Sequence, residues 1–306
     1  MKLIQSSVSL ENFDTPYEFI EYAARTCYKS ENNMFSDSIG FVRTLINNKH
    51  YAMLEHGKIV FEVYLNDKRY KSELSKYYEY LKTFKYLNVT FNETAIRLLV
   101  SSDASNICKR GVNDAIFEEL KIKYPELIFN DASDTDRLYK HVSATIINID
   151  DVYRPSREEL QNHKYYTFKF IVDRGVSHEL VRHRSFSFAQ ESTRYCNYSY
   201  DKFDNQLTFI RPSTFNDWSD GQRSVFLQIC QAVEGVYLYM TDPEYPSVLT
   251  PQQARSILTN CVKTEIVVTG NLKCWEHFLD LRYFESTGKA HPDMKKVASE
   301  VHDLLY

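Results

Sequence analysis

Apolar positions recur along this chain with two periods, and the switch between them outlines its elements. Within residues 15–28, Ile20, Ala23, Ala24 and Cys27 follow helical spacing. Thr15 can cap that helix, Pro16 suits its first position, and Glu18 completes a capping box. A second helix is expected from about Asp37 to Lys49, just before His50. Residues 58–65 alternate instead, with Ile59, Phe61, Val63 and Leu65 on one face, which predicts a strand. Residues 165–173 do the same with Phe168, Phe170 and Val172 aligned. Gly175 then allows a turn into a helix that carries residues 177–184. A long helix is expected from about Gly221 to Met240. Thr250, Pro251 and Gln253 carry the signals that start another. Residues 263–270 predict a short strand, and the segments 272–285 and 291–306 the last two helices.

Residues 66–160 are less regular. A charged, tyrosine-rich segment comes first, then one or two strands within 88–102, a short helix near 114–124, and polar connections. No linker-type composition, internal repeat or low-complexity tract separates this segment. It is therefore expected to be an insertion within one domain spanning 1–306. The fold class expected is α+β, a mixed sheet with long helices, richest in helix over the last third.

Composition narrows the chemistry. The chain has 306 residues, 43% hydrophobic and 25% charged, which suits a soluble globular protein with a sizeable core. Its formal net charge of −4 means that any basic site is local. No two of the 8 glycines are closer than Gly221 and Gly235, so neither a G-x-G-x-x-G nor a G-x-x-x-x-G-K loop exists. A phosphorylated cofactor would have to be held by arginines and helix ends. The 6 cysteines are scattered without a C-x-x-C pair, which suggests neither a zinc site nor a disulfide framework. No apolar run approaches the ~20 residues of a membrane span, and a cytoplasmic setting is expected.

One stretch concentrates charge: "HELVRHRSFSFAQESTRY", residues 178–195. On a continuous helix Arg182 and Arg184 would point to nearly opposite sides, while Glu179 and His183 would share a face. Such a basic helix end is favourable at a carboxyl terminus. His178 and His183 are five apart, not four, so the zinc-protease motif fails and no metal is expected. Ser187, Gln190, Ser192 and Arg194 could line a pocket for a polar, planar anion, or form an ordinary polar loop. Farther on, Trp275, Phe278, Leu279 and Arg282 follow i, i+3, i+4, i+7, which puts an arginine on an apolar stripe. It either snorkels to the edge or meets a carboxylate or an anionic ligand. Arg255 sits beside a stripe formed by Ala254, Ile257 and Leu258, which by itself says little.

Taken together, these residues resemble a family. Arg182-His183-Arg184, seven residues and then Ser192 reproduce the R-H-R-x7-S signature of flavin-dependent thymidylate synthases, and Arg194-Tyr195 also matches. "NKHYAMLEH" resembles the family's histidine-containing turn and Glu-His pair, here His50, Glu55 and His56. "EYAARTCYKS", "LTPQQARSIL" and "VVTGNLKCWEHFLDLR" resemble other family blocks, in order. Two departures stand out: residues 66–160 exceed the shorter members, and the loop after Arg282 is longer than in many.

The resemblance implies the fold of that family with a large insertion, and reductive methylation of dUMP to dTMP. FAD would be the cofactor, with NADPH and 5,10-methylenetetrahydrofolate as cosubstrates. By matching position, His50, Arg182, His183, Arg184 and Asn271 would bind the flavin. Glu179, Gln190, Ser192, Thr193 and Arg194 would hold dUMP, with Arg255 and Arg282 from another subunit of a homotetramer. Arg282 would also stabilise charge in the reaction. The family uses no cysteine nucleophile, and Cys196 is expected to be structural. The rival class is a single-stranded nucleic-acid module, which the arginines and aromatics favour and the acidic net charge opposes.

Overall fold

The computed structural model describes all residues except 35–36, 68, 70, 111–114, 128–140 and 245–246. Two four-stranded sheets carry the fold. The first is built from β2 (Ser7–Glu11), β7 (Tyr165–Asp173), β10 (Lys263–Asn271) and β8 (Ser187–Gln190), in that order and antiparallel. The second has β4 (Asn88–Asn92), β5 (Arg97–Asp103), β3 (Lys58–Leu65) and β6 (Val142–Ile146), also antiparallel. A small parallel pair, β1 (Lys2–Ile4) with β9 (Thr208–Ile210), stands apart.

Strand β10 lies at the centre of the first sheet. Ile266, Val267 and Val268 are all fully buried, because helices cover both faces. On one face Ile266 and Val268 join Phe168, Phe170 and Val172 of β7. They pack against α8 (Arg174–Leu180), α11 (Leu272–Arg282) and α12 (Pro292–Leu305). On the other face Val267 and Ala189 meet Tyr22 and Ala23 of α1 (Pro16–Tyr28). A strand buried on both faces shows a continuous apolar run instead of alternation. It extends to nine residues, longer than its sequence signal suggested.

The capped helices form where their signals lie. In α1 the Thr15 side chain accepts from the Glu18 backbone and Glu18 returns the bond, closing the capping box. Asp37 caps α2 (Ser38–Asn47), and Ser219 with Gln222 caps α9 (Asp220–Thr241). Thr250 and Gln253 close their box too, but α10 (Pro251–Ala254) is a single turn followed by a tighter one at Arg255–Ile257.

Residues 66–160 are more structured than their composition suggests. The tyrosine-rich segment is helix α4 (Lys71–Lys82), with Leu74, Tyr77 and Leu81 fully buried. The stretch 88–102 forms the hairpin of β4 and β5, closed between Asn92 and Arg97. Helices α5 (Ala104–Arg110), α6 (Ala115–Lys123) and α7 (Arg157–His163) follow the chain order around β6. Asp114, at the start of the expected helix near 114–124, lies outside the described residues. The segment thus supplies three strands of the second sheet, and β3 supplies the fourth. That sheet packs with α2, α4, α6 and the short α3 (Tyr51–Leu54) around one apolar core.

Polar contacts seam the two sheets. The Tyr165 hydroxyl accepts from Asn88 Nδ2 at 2.8 Å and lies 3.0 Å from Ser101 Oγ. His163 bridges Ser101 Oγ (2.9 Å) and Thr90 Oγ1 (3.0 Å). Arg97 holds the buried Glu159 of α7 with two bonds, at 2.6 and 2.8 Å. In the first sheet the Glu265 carboxylate gathers Lys29, Lys169 and Lys263 within 2.6–2.8 Å.

Candidate active site

Strand β7 runs straight into α8, whose first turn is capped by Asp173: Oδ1 accepts from Val176 N at 2.7 Å. Gly175 is therefore inside the helix and does not form a turn before it. The helix also ends earlier than the sequence implied, at Leu180. Arg182 N–H bonds to Glu179 O and His183 N–H to Leu180 O in a closing turn. Arg182, His183 and Arg184 therefore lie beyond the helix, and opposite helical faces do not describe them. The positive charge sits just past a helix carboxyl end, where the peptide dipoles favour it.

What joins Glu179 to His183 is not helical spacing but Arg282. Its Nη1 donates to Glu179 Oε2 and its Nε to His183 Nε2, each at 3.2 Å. Trp275, Phe278 and Leu279 on the same stripe are buried, whereas the Arg282 side chain keeps 24% exposure. The stripe arginine thus finds a carboxylate and an imidazole at the core's edge. Burial, then the Arg282 and His277 charges, push the His183 imidazole down to about 4. It is neutral at physiological pH and able to accept from Arg282.

Asn271 ends β10 and caps α11: its Oδ1 accepts from Cys274 N at 3.0 Å, and its Nδ2 donates to Asn162 O at 3.2 Å. Arg182, His183, Arg184, Asn271 and Arg282 line one cavity of about 670 Å³. Arg182 and Arg184 are exposed at its rim. Deeper in, Phe186 packs against Trp275 with centroids 4.4 Å apart. It lies directly over Gly270, where an added Cβ would come within 2.3 Å of the ring. Tyr165, Lys273, Cys274 and His277 complete this side. Among the lining residues Lys58, Arg182, Arg184, Lys273 and Arg282 are cationic, and Asp103 is the carboxylate. Such a cavity suits a large, planar, anionic ligand.

The other expected positions lie elsewhere. Residues 187–190 are strand β8, paired with β10 from Ser187↔Thr269 to Gln190↔Ile266, and not a loop. Gln190 turns inward, its Nε2 donating to Ser177 Oγ (2.9 Å) and Thr264 Oγ1 (3.1 Å). Ser192 N–H bonds to Cys27 O, and its Oγ accepts from Arg194 N. Thr193 is buried. Arg194 is exposed, with Nε 2.6 Å from Gln252 Oε1 and its guanidinium 5.1 Å over the Tyr195 ring. Gln252 belongs to α10, so Arg194 is tied to the turn that bears the exposed Arg255. His50 is exposed at the start of α3, outside the cavity lining. Cys196 is fully buried and its thiol is pushed up to about 12, first by burial and then by Glu191, as an inert structural thiol requires.

Sequence reasoning missed Lys58, Tyr165, Lys273 and His277 as lining residues. Lys273, His277 and Leu281 share one helical face of α11, so periodicity held a signal for that wall. Lys58 and the residues of 66–160 carried none. Among the described residues no group of His, Cys, Asp or Glu could hold a metal ion, and no helix is long and apolar enough to cross a membrane.

Residues 115–306 match the family model described as "Thymidylate synthase complementing protein". The chain belongs to this family, whose curated relatives here are flavin-dependent thymidylate synthases. It is 29% identical over 173 residues to that enzyme of Geobacter sulfurreducens, covering 56% of this chain and 69% of the relative. It is 34% identical over 147 residues to that of Corynebacterium aurimucosum, covering 44% of this chain and 54% of the relative. The chain thus spans about half the length of the corynebacterial relative. Among solved structures, a UMP/dUMP methylase, PolB, from Streptomyces cacaoi bound with 5-Br dUMP aligns with a TM-score of 0.41 and 13% identity. That alignment covers 100% of this chain and 92% of the other. Thymidylate Synthase X from Helicobacter pylori with FAD and dUMP gives 0.37 and 15%, over 98% and 93%.

Proposed function

We propose that the chain is an FAD-dependent thymidylate synthase that converts dUMP to dTMP. In the balanced reaction, dUMP, 5,10-methylenetetrahydrofolate, NADPH and a proton give dTMP, tetrahydrofolate and NADP+. The observation that carries this reading is the convergence of Arg182, His183, Arg184, Asn271 and Arg282, distant in sequence, on one cavity.

The residues fit FAD. A volume of about 670 Å³ accommodates a ligand of that class. Rim arginines supply the planar donor forks that phosphate oxygens take, in place of a glycine loop. Phe186 and Tyr165 add aromatic side chains to the lining. When bound, FAD supplies the two-electron reduction that turns the transferred methylene into a methyl group. Arg182, Arg184 and Lys273 would hold the cofactor, and Asn271 fixes the start of α11 at the cavity wall. Neutral His183 keeps Arg282 in place. Arg282 orients the pyrimidine and stabilises negative charge on its carbonyl oxygen, with donors set before the reaction.

Gln190, Ser192, Thr193, Arg194 and Arg255 belong to the nucleotide site, with Glu179 at its margin; His50, which lies outside the cavity of its own chain, belongs to the flavin site only across copies of the chain. The family resemblance implies a homotetramer whose sites draw on more than one copy of the chain, with Arg255 and Arg282 reaching the nucleotide of another copy; the position of Arg194 and Arg255 outside the cavity supports sharing between copies. The exposed Val225, Ile229 and Val236 of α9 support that assembly. We read residues 1–306 as one domain of the family, elaborated by 66–160 around β3. The six free cysteines fit the reducing cytoplasm.

The test is the colour of the purified protein. With unbound FAD removed by gel filtration and air excluded, the FAD-loaded protein should be yellow, bleach with NADPH and regain colour when dUMP and the folate are both supplied. A protein that stays colourless and retards single-stranded oligonucleotides would overturn the reading in favour of a nucleic-acid module.

A further inference from the structure

Lys58 opens β3 on the second sheet, yet its side chain reaches the cavity that the arginines line. The side chain keeps 15% exposure. Its Nζ donates to Ser187 Oγ at 3.2 Å, while the Asp103 carboxylate is no closer than 3.9 Å. It stands 5.6 Å over the Tyr165 ring. A largely buried ammonium whose close acceptor is a hydroxyl, and whose carboxylate neighbours Asp103 and Glu55 act on it from a distance, keeps donors for something else. Burial pushes it down from the usual lysine range, with Asp103 first and Glu55 next opposing but not offsetting it, so the site gains by receiving negative charge.

Which negative charge follows from depth. Arg182 and Arg184 stand exposed at the rim, where phosphates remain hydrated. Lys58 lines the same cavity with only 15% of its side chain exposed, 5.6 Å over the Tyr165 ring and away from bulk water. An isoalloxazine ring that accepts two electrons and one proton becomes an anion. In a poorly solvated site a nearby cation favours that form.

We propose that Lys58 is the buried cation that stabilises the reduced, anionic ring of the cofactor, making it a positioning and tuning residue contributed by the second sheet. Asp103, on the wall supplied by residues 66–160, moderates it. Removing Lys58 then disfavours the reduced form more than the oxidised one. Removing the Asp103 charge does the reverse. The segment 66–160 thereby takes part in setting the cofactor's reducing power.

The inference rests on the FAD reading, and the experiment separates the two. FAD is titrated onto wild type, Lys58→Met, Lys58→Arg and Asp103→Asn. Oxidised affinity is read by absorbance and the midpoint potential by equilibration with a reference dye. Lys58→Met should bind oxidised FAD within about threefold of wild type and lose about tenfold more affinity for the reduced form than for the oxidised one. That ratio corresponds to a midpoint about 30 mV lower for a two-electron couple. Lys58→Arg should restore the midpoint, and Asp103→Asn should raise it. Equal loss of oxidised and reduced affinity in Lys58→Met would overturn the proposal, because the lysine would then hold a group whose charge does not change. A midpoint in Asp103→Asn that is unchanged or lower would overturn it even if Lys58→Met does not fold. Wild-type protein that binds no FAD would instead end the functional reading itself.

Discussion

Arg282 Nη1 lies 3.2 Å from Glu179 Oε2, so one ion pair ties the end of α11 to the last turn of α8. Arg282 lines the cavity, Glu179 lies outside its lining, and the pair is only partly shielded. In structural terms a half-exposed pair contributes up to about 1 kcal/mol. Its worth to the reaction should be larger. Arg282→Ala should lower turnover by about 100-fold or more. Chemical denaturation should show a loss of about 1 kcal/mol. Near-normal turnover would remove Arg282 from the reaction.

Burial, helped by the same arginine, keeps the neighbouring imidazole neutral. Burial acts first on His183, then the Arg282 and His277 charges, and together they push it down to about 4. A histidine with a depressed value contributes stability that is present above its unfolded value of about 6.5 and lost as pH falls toward 4. In Arg282→Ala the midpoint should move back up, followed by NMR of the ring protons. An unmoved midpoint would mean that burial alone sets it.

Arg194→Ala tests the nucleotide site apart from the flavin site. The exposed guanidinium is held by Gln252 and Tyr195, and no buried partner is orphaned by its loss. Weaker dUMP binding by about 10- to 100-fold is expected, the worth of charge-assisted phosphate bonds. FAD affinity should hold. Calorimetric titration with dUMP decides, and unchanged nucleotide affinity would contradict the assignment.

Gly270→Ala should damage the cavity floor. Its new Cβ would press on Phe186 at 2.3 Å, and that ring is wedged against Trp275. The ring must swing into the cavity or the floor must shift, at about 1–3 kcal/mol. Reduced FAD affinity with smaller stability loss is the expected pattern. Full FAD affinity would show that the floor can yield without cost to the site.

Glu265 should govern the acid limb of stability. Burial would raise this carboxyl, but Lys263, Lys29 and Lys169 more than offset it and hold it well below the usual range. Its contribution is therefore present above the ordinary glutamate value of about 4.3 and lost as pH falls below it. Glu265→Gln leaves three lysines short of their shared charge and should cost about 3–5 kcal/mol at neutral pH. Denaturation curves from pH 7 to 3 should be flatter in the variant, and parallel curves would assign the acid limb to other carboxylates such as Glu159.

The sequence by itself determined the elements whose signals are local. Thr15, Pro16 and Glu18 specify the start of α1, and the alternation of Ile59, Phe61 and Val63 specifies β3, because a cap or a pleat is settled within a few residues. The motif residues that meet at the cavity were legible for a different reason: their types and spacing match a family. The tertiary structure alone decided the rest. Residues 187–190 became a strand because β10 offered them a partner. Helix α8 stopped at Leu180, and Glu179 and His183 were joined by an arginine 99 residues beyond the histidine. Lys58 and Asp103 came to the cavity because β3 pairs with β5, which delivers a second sheet to the site. Pairings of this kind depend on the energy of two distant groups brought together, and no window along the chain contains both.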